Sequence, residues 1–274
     1  MQFSSRTVSF TQPHIMGILN VTPDSFSDGG KHMQTERALR HALAMVQQGA
    51  TFIDIGGEST RPGAPDVSLQ EELDRVIPAI EAITNETNAI ISVDTSKAQV
   101  MQEAVAAGAE LINDVRALQE PGAIEVAAKA DVPVCLMHMQ GQPRTMQQTP
   151  HYQDVTQDVM TFLQQRVDAC QNAGIGADKL ILDPGYGFGK TLEHNYQLLN
   201  GLSHILNMGY PVLVGMSRKS MIGQLLNRAV NERLAGSIAL ATIAAQMGAH
   251  IIRVHDVQET ADAVAIVNKL KALQ

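Results

Sequence analysis

Short apolar runs recur along the chain at intervals of roughly 25–40 residues, and each stops at residues able to do chemistry. The run 15–19 ends in Asn20, 52–55 in the loop 56–61, and 90–93 in Asp94. Run 111–112 ends in Asn113 and Asp114, 134–137 in His138, and 180–182 in Asp183. Run 212–214 leads into 215–219, and 251–254 into His255. A short apolar run bounded by turn residues predicts a strand that is apolar on both faces. Parallel α/β proteins keep their active sites at the C-terminal ends of such strands. Eight repeats describe one site ringed by strand ends.

Between the runs, Ala, Leu and Val recur at helical spacing. This predicts helices at about 35–48, from Ser68 onward, and at about 97–107, 122–129, 153–173, 191–206, 233–247 and 259–272. Thr35 reads as an N-cap and Gly49 as a stop, while Ser68 and Glu71 form a capping box. Gly108 and Gly248 stand where C-caps belong. Val8-Ser9-Phe10 is expected as an edge hairpin strand that closes the bottom of a barrel. The chain contains no linker or low-complexity tract. The fold expected is α/β, a single (β/α)8 TIM barrel with a short N-terminal β-hairpin, one domain over 1–274. An open Rossmann-like sheet is the weaker alternative, because no G-x-G-x-x-G opens the first helix.

Composition narrows the partners. The 274 residues are 45% hydrophobic, enough for a large core, and the formal net charge is −8. That balance argues against nucleic acid and against an anionic membrane surface, although a local basic pocket can still hold a phosphorylated small molecule. No run approaches the ~20 apolar residues of a membrane span. The first ten residues lack the apolar centre of a secretory signal. Two cysteines, Cys135 and Cys170, provide no disulfide framework. A cytoplasmic location is expected, with Cys135 a buried structural thiol.

Several strand ends carry anion-binding parts. The loop Gly57-Glu58-Ser59-Thr60-Arg61-Pro62-Gly63 combines flexible glycines, hydroxyl donors and a planar guanidinium. Arg253 and His255 alternate on the last strand and so share one face; burying both is costly without an anion. Asn20 is a neutral oxygen ligand suited to Mg²⁺, or else it satisfies turn backbone. Asp94, Asn113 and Asp183 end three strands and would face a common centre. They suit the polar edge of a flat heterocycle, since carboxylates accept from ring N–H groups and an amide both gives and takes. Capping of the next helix is the alternative for Asp94.

The stretch 183–190 is glycine-rich but lacks the P-loop order, so Phe188 and its glycines read as a mobile apolar edge of the pocket. Lys219 is either a Schiff-base lysine or a donor to a ring carbonyl or nitrogen. His138, one of several polar groups near Met137 and Met139, is open to a catalytic role or to a purely structural one.

Taken together, these fragments resemble one family. Asn20-Val21-Thr22-Pro23-Asp24-Ser25-Phe26-Ser27-Asp28-Gly29, the 57–63 loop, Ser92-Val93-Asp94-Thr95 and Ile112-Asn113-Asp114 are four of them. Asp183-Pro184-Gly185-Tyr186-Gly187-Phe188-Gly189-Lys190, Ser217-Arg218-Lys219 and Arg253-Val254-His255-Asp256-Val257 complete the set. All are similar to the dihydropteroate synthase family, in order and over essentially the whole chain.

The resemblance implies condensation of 6-hydroxymethyl-7,8-dihydropterin pyrophosphate with p-aminobenzoate. It also implies a homodimer, Mg²⁺ as cofactor and inhibition by sulfonamides. By the family's pattern Asp94, Asn113, Asp183, Lys219 and Arg253 hold the pterin. Asn20, Thr60, Arg61, Arg253 and His255 serve the pyrophosphate, with Asn20 toward the metal. Phe26, Thr60, Pro62, Phe188 and Ser217 border the p-aminobenzoate site. The catalytic set implied is Asn20, Arg61, Lys219, Arg253 and His255. Rival readings are a pterin-binding methyltransferase serving a corrinoid protein, a non-catalytic pterin-binding homologue, and an aldolase using Lys219.

Overall fold

Each apolar run forms a strand, and the strands pair in parallel. They are β1 (His14–Asn20), β2 (Phe52–Gly56), β3 (Ile90–Asp94), β4 (Leu111–Asp114), β5 (Val134–Met137), β6 (Leu180–Asp183), β7 (Leu213–Val214) and β8 (Ile251–Val254). The computed structural model describes residues 1–22, 31–59, 66–141, 146 and 150–273. The sheet runs β6-β5-β4-β3-β2-β1-β8-β7. Its two edges meet through a parallel bridge between Leu182 and Val212, where the Leu182 N–H donates to the Pro211 carbonyl at 2.9 Å. The sheet thus comes round into the expected barrel.

Ten α-helices lie among the described residues. They are α1 (Lys31–Gln47), α2 (Leu69–Glu86), α3 (Ala98–Ala106), α4 (Ala123–Ala130), α5 (Val155–Asn172), α6 (Leu192–Asn200), α7 (Leu202–Leu206), α8 (Ser220–Leu226), α9 (Leu234–Met247) and α10 (Val257–Lys271). The Ser68 capping box forms as expected, and Gly108 and Gly248 take left-handed backbone at their stops.

Three expectations are corrected. Helix α1 starts a turn before Thr35, because the residues at 31–34 are ordinary helix formers with nothing to stop them. The helix expected over 191–206 is two, divided at Gly201. A Cβ at Gly201 would lie 2.5 Å from Thr156 Oγ1, so the chain there touches α5 too closely for a side chain. Helix α8 has no counterpart in the sequence reading: it is only seven residues long and its N-cap, Lys219, makes no side-chain cap.

Because side chains alternate along a strand, the sheet divides its residues into an outer and an inner face. The outward set, including Ile53, Ile55, Ile91, Val93, Leu136, Leu182, Val214 and Val254, packs against the helices in one large core. A second core fills the barrel floor with one residue from every strand: Met16, Phe52, Ile90, Leu111, Cys135, Ile181, Leu213 and Ile251. Phe3 and Val8 plug it from below, Phe3 lying edge-on to Phe52 with ring centroids 5.5 Å apart. The N-terminal hairpin lies earlier than the Val8-to-Phe10 strand expected, with Gln2 bridged antiparallel to Thr7 and the Val8 N–H donating to the Met1 carbonyl at 2.9 Å. Burial on the floor pushes the Cys135 thiol well up, which keeps it inert.

Two residues above the floor, the inner face changes character. Asp54, Ser92, Asn113, Asp183 and Arg253 stand there, so the strands are apolar on both faces only at their lower ends. No described helix is long and apolar enough to cross a membrane.

Candidate active site

The polar storey is organised around Asp54 and Arg253. Asp54 has no exposed surface and accepts from Ser92 Oγ at 2.6 Å, Asn113 Nδ2 at 3.1 Å and Arg253 Nε at 2.6 Å. Arg253 Nη2 donates to Asp94 at 2.7 Å, one layer higher at the end of β3. The sequence expectation for Arg253 was an outside anion; here two carboxylates of the barrel itself flank it. Burial, with Asp54 nearby, pushes the Asp94 carboxyl up to about 7, against the opposing pull of Arg253. Asp94 does not cap α3, whose N-cap is Lys97. The capping type of contact belongs to Asp114, which accepts from Ser96 Oγ and from the backbone N–H of Arg116 and Leu118.

Asp183 closes the other side of the barrel. Its Oδ1 accepts from the Gly185 N–H at 2.7 Å, and burial raises its pKa against the attraction of Lys219. Lys219 donates to the Tyr186 carbonyl and holds its ammonium 4.5 Å from the centre of the Phe188 ring. Burial lowers it to about 8, with Asp183 opposing and Arg253 adding to the fall. The charges of Asp183, Arg253 and Asp94 all act on this one amine.

The turn carrying Tyr186 and Phe188, expected as a mobile edge of the pocket, is braced from behind. The buried Lys190 ammonium donates to the Gly185 carbonyl at 2.8 Å, to the Phe188 carbonyl at 3.1 Å and to His138 Nδ1 at 2.9 Å. Burial pushes the Lys190 amine well down, against the pull of Asp183; in its protonated form three donors meet three acceptors, and His138 is then neutral with its proton on Nε2. Burial beside Lys190 pushes this imidazole down to about 2, in keeping with that assignment. Its ring packs edge-on against Phe162, 5.0 Å between centroids. His138 is therefore a brace for the turn. Gly185 has φ +70° and its would-be Cβ lies 1.8 Å from the His138 carbonyl oxygen, so only glycine fits.

The last two strand ends are stapled together. Ser217 Oγ and His255 Nδ1 lie 3.0 Å apart, and the His255 N–H donates back to Ser217 Oγ at 3.2 Å. Arg218, with φ +57°, turns its fork onto the Asp256 carboxylate through Nε at 2.9 Å and Nη2. Ser217 thus sits beside His255. Asn20 ends β1 opposite Gly56 and is half-buried. Phe26, Thr60, Arg61 and Pro62 lie outside the described residues. The root of the 57–63 loop is held by Lys97, which donates to Glu58 and to the buried Glu72.

Sequence reasoning missed Asp54, which it took for part of an apolar run. The signal was present: Phe52, Asp54 and Gly56 share one face, in register with Ser92 on the neighbouring strand. It also missed the Lys190–His138 brace, for which periodicity offers no sign.

Comparison with known proteins agrees with this geometry. The family model described as "Pterin binding enzyme" matches residues 16–255. The dihydropteroate synthase of Escherichia coli (strain K12) is 58% identical over 261 residues, covering 95% of this chain and 93% of that one. The crystal structure of Yersinia pestis dihydropteroate synthase in a sulfonamide drug complex superposes with a TM-score of 0.95. It is 57% identical, with 99% of each chain covered. Xanthomonas albilineans dihydropteroate synthase with 4-aminobenzoic acid gives a TM-score of 0.92 at 49% identity, covering 97% of this chain and 96% of that one. On the family match and these relatives, the chain belongs to the dihydropteroate synthase family of pterin-binding enzymes.

Proposed function

We propose that the upper end of this barrel condenses 6-hydroxymethyl-7,8-dihydropterin pyrophosphate with p-aminobenzoate, giving 7,8-dihydropteroate and pyrophosphate. One arrangement supports this: Arg253 bonds Asp94 and is linked through Asp54 to Asn113, Lys219 lies under the charges of Asp183, Arg253 and Asp94, and His255 pairs with Ser217 just past the end of the Arg253 strand. The oxygens suit the N–H edge of a pterin, and the Lys219 ammonium suits a ring carbonyl or nitrogen. Arg253 and His255, with Arg61 on the adjoining loop, suit the diphosphate.

The chemistry follows from charge. The C–O bond between the methylene carbon and the diphosphate breaks, and its electron pair leaves with the diphosphate. The neutral aryl amine then forms the C–N bond and releases a proton to solvent or to the departing group. An aryl amine is nucleophilic at neutral pH, so no strong base is required. The electron-rich pterin spreads the cationic character of the methylene carbon, while Arg61, Arg253 and His255 stabilise the departing charge. By the family's pattern Thr60, Pro62, Phe26, Phe188 and Ser217 would border the amine and exclude water that would otherwise capture the cation.

The donor set fits Mg²⁺ carried in with the substrate. Among the described residues no group of three or more His, Cys, Asp or Glu is arranged to hold a metal. The half-buried Asn20 at its strand end supplies one hard neutral oxygen, which suits an ion otherwise held by water and phosphate. When bound, the ion would neutralise part of the diphosphate charge.

A homodimer belongs to the same proposal, supported by the exposed Leu225, Leu226, Val230, Leu234, Ile243, Ile266, Leu270 and Leu273 on and around α8, α9 and α10. So do a single domain over 1–274 and a cytoplasmic location, the latter supported by two buried free cysteines. The aldolase alternative loses ground because Lys219 is already engaged with the Tyr186 carbonyl and the Phe188 ring.

The deciding experiment mixes the protein with the pterin pyrophosphate, Mg²⁺ and p-aminobenzoate. Pyrophosphate release should depend on the amine; release at the same rate without it would refute the synthase reaction. A pH prediction follows from the two titrating groups. Asp94 must be ionised to accept, so kcat/KM for the pterin substrate falls as pH drops below about 7. Lys219 must be protonated to donate with full charge, so kcat/KM falls again above about 8. The profile should be a narrow bell; a flat line from about pH 6 to about pH 9 would remove both assignments.

A further inference from the structure

Arg253 is held at two points of different character. Its Nε is bonded to Asp54, which is fully buried, has no route to solvent and is itself steadied by Ser92 and Asn113. Its Nη2 is bonded to Asp94, which lies at the rim with 14% of its side chain exposed. In the proposed reaction Asp94 accepts from the pterin, so the Nη end of Arg253 must give up at least part of that bond when substrate enters. The Nε bond faces inward, away from any ligand, and can persist.

We propose that Asp54 is the positioning residue of Arg253: a buried carboxylate that anchors the root of the guanidinium while its fork turns from Asp94 to the departing diphosphate. This deepens the synthase reading and rests on it. Anchoring one end matters because a free arginine loses many rotamers when it clamps a phosphate, whereas one fixed at Nε has most of that ordering already done. Asp54 also keeps the cation from collapsing fully onto Asp94. With Asp54 neutral, Asp94 becomes the sole carboxylate partner of Arg253 in this network, and the fork is drawn toward the acid it has to release. Asp54 touches neither substrate in this scheme; it acts on the diphosphate through Arg253, and the bond it accepts from Asn113 is one that an amide at 54 can keep.

Asp54→Asn tests the link cleanly, because an amide of the same shape can still accept from Arg253 and Asn113 while Ser92 rotates to accept its N–H. The charge changes and the packing does not. We expect kcat to fall about 10-fold, because the bond to Arg253 remains but loses its charge assistance, roughly half of its strength. Affinity for 6-hydroxymethylpterin, which lacks the diphosphate, should stay within about 3-fold of the wild type.

The sharper measurement is a double-mutant cycle. In an Arg253→Ala background, Asp54→Asn should cause no further loss of kcat, since the group it positions is gone. A purely structural Asp54 would instead lower kcat by the same factor in both backgrounds, and would weaken the pterin without diphosphate as strongly as the full substrate. Either result overturns the proposal. If Asp54→Asn fails to fold by circular dichroism, Ser92→Ala loosens the same anchor with its charge intact. It should produce a smaller loss that again disappears in the Arg253→Ala background, and persistence of that loss would count against the link. Wild-type protein without amine-dependent pyrophosphate release would sink the reaction itself, a failure separate from any result in the cycle.

Discussion

Arg253→Ala is expected to lower kcat by about 10²- to 10³-fold, the usual effect of removing one preorganised donor from a developing negative charge. Pterin binding should survive in part, because Asn113, Asp183 and Lys219 keep their places. The same change leaves Asp54 and Asp94 facing each other without the cation between them. Breaking a buried ion pair in this one-sided way costs roughly 3 kcal/mol or more, so thermal stability should fall as well. The two effects are separated by measuring turnover well below the melting temperature. Unchanged turnover in folded protein would contradict the leaving-group role.

Asp183→Asn should act first on recognition. The carboxylate accepts from Gly185 and faces Lys219, and an amide offers one acceptor where two stood. Dissociation of the pterin substrate should become about 10- to 100-fold easier, because a site built to accept from a ring N–H loses a partner it had desolvated. Titration calorimetry without p-aminobenzoate reads this directly, and intact affinity would remove Asp183 from the pterin edge. A second consequence has a definite sign. Asp183 holds Lys219 up against the effect of burial, so its loss lowers the lysine further. The alkaline limb of the pH profile should therefore move below about 8 in this variant. A limb that stays put would mean that another group produces it.

Which polar groups of the barrel are visible in the sequence has a physical pattern. Asp94, Asn113, Asp183, Lys219 and Arg253 were legible because each follows or interrupts an apolar run at the strand's carboxyl end, where a change in residue type is visible in one dimension. Asp54 was hidden by the same rule, one charged residue between two isoleucines in a run that otherwise reads as core. The brace at Lys190 and His138 joins residues 52 positions apart, and the staple of Arg218 on Asp256 joins residues 38 apart. Neither pair shares a strand or a helical face, so no periodicity could relate them.

By itself the sequence determined the eight-fold alternation, the strand identities and the storey at which polar groups appear, since strand period and turn chemistry are local properties. The order and curvature of the strands decided the rest. They brought the inward side chains of β2, β3, β4 and β8 within hydrogen-bond reach, gave Arg253 two internal carboxylates in place of an outside anion, and turned His138 from a candidate into a support. Such contacts depend on which inward side chains meet across the lumen and on how much water they exclude, quantities that exist only once the chain has come round on itself.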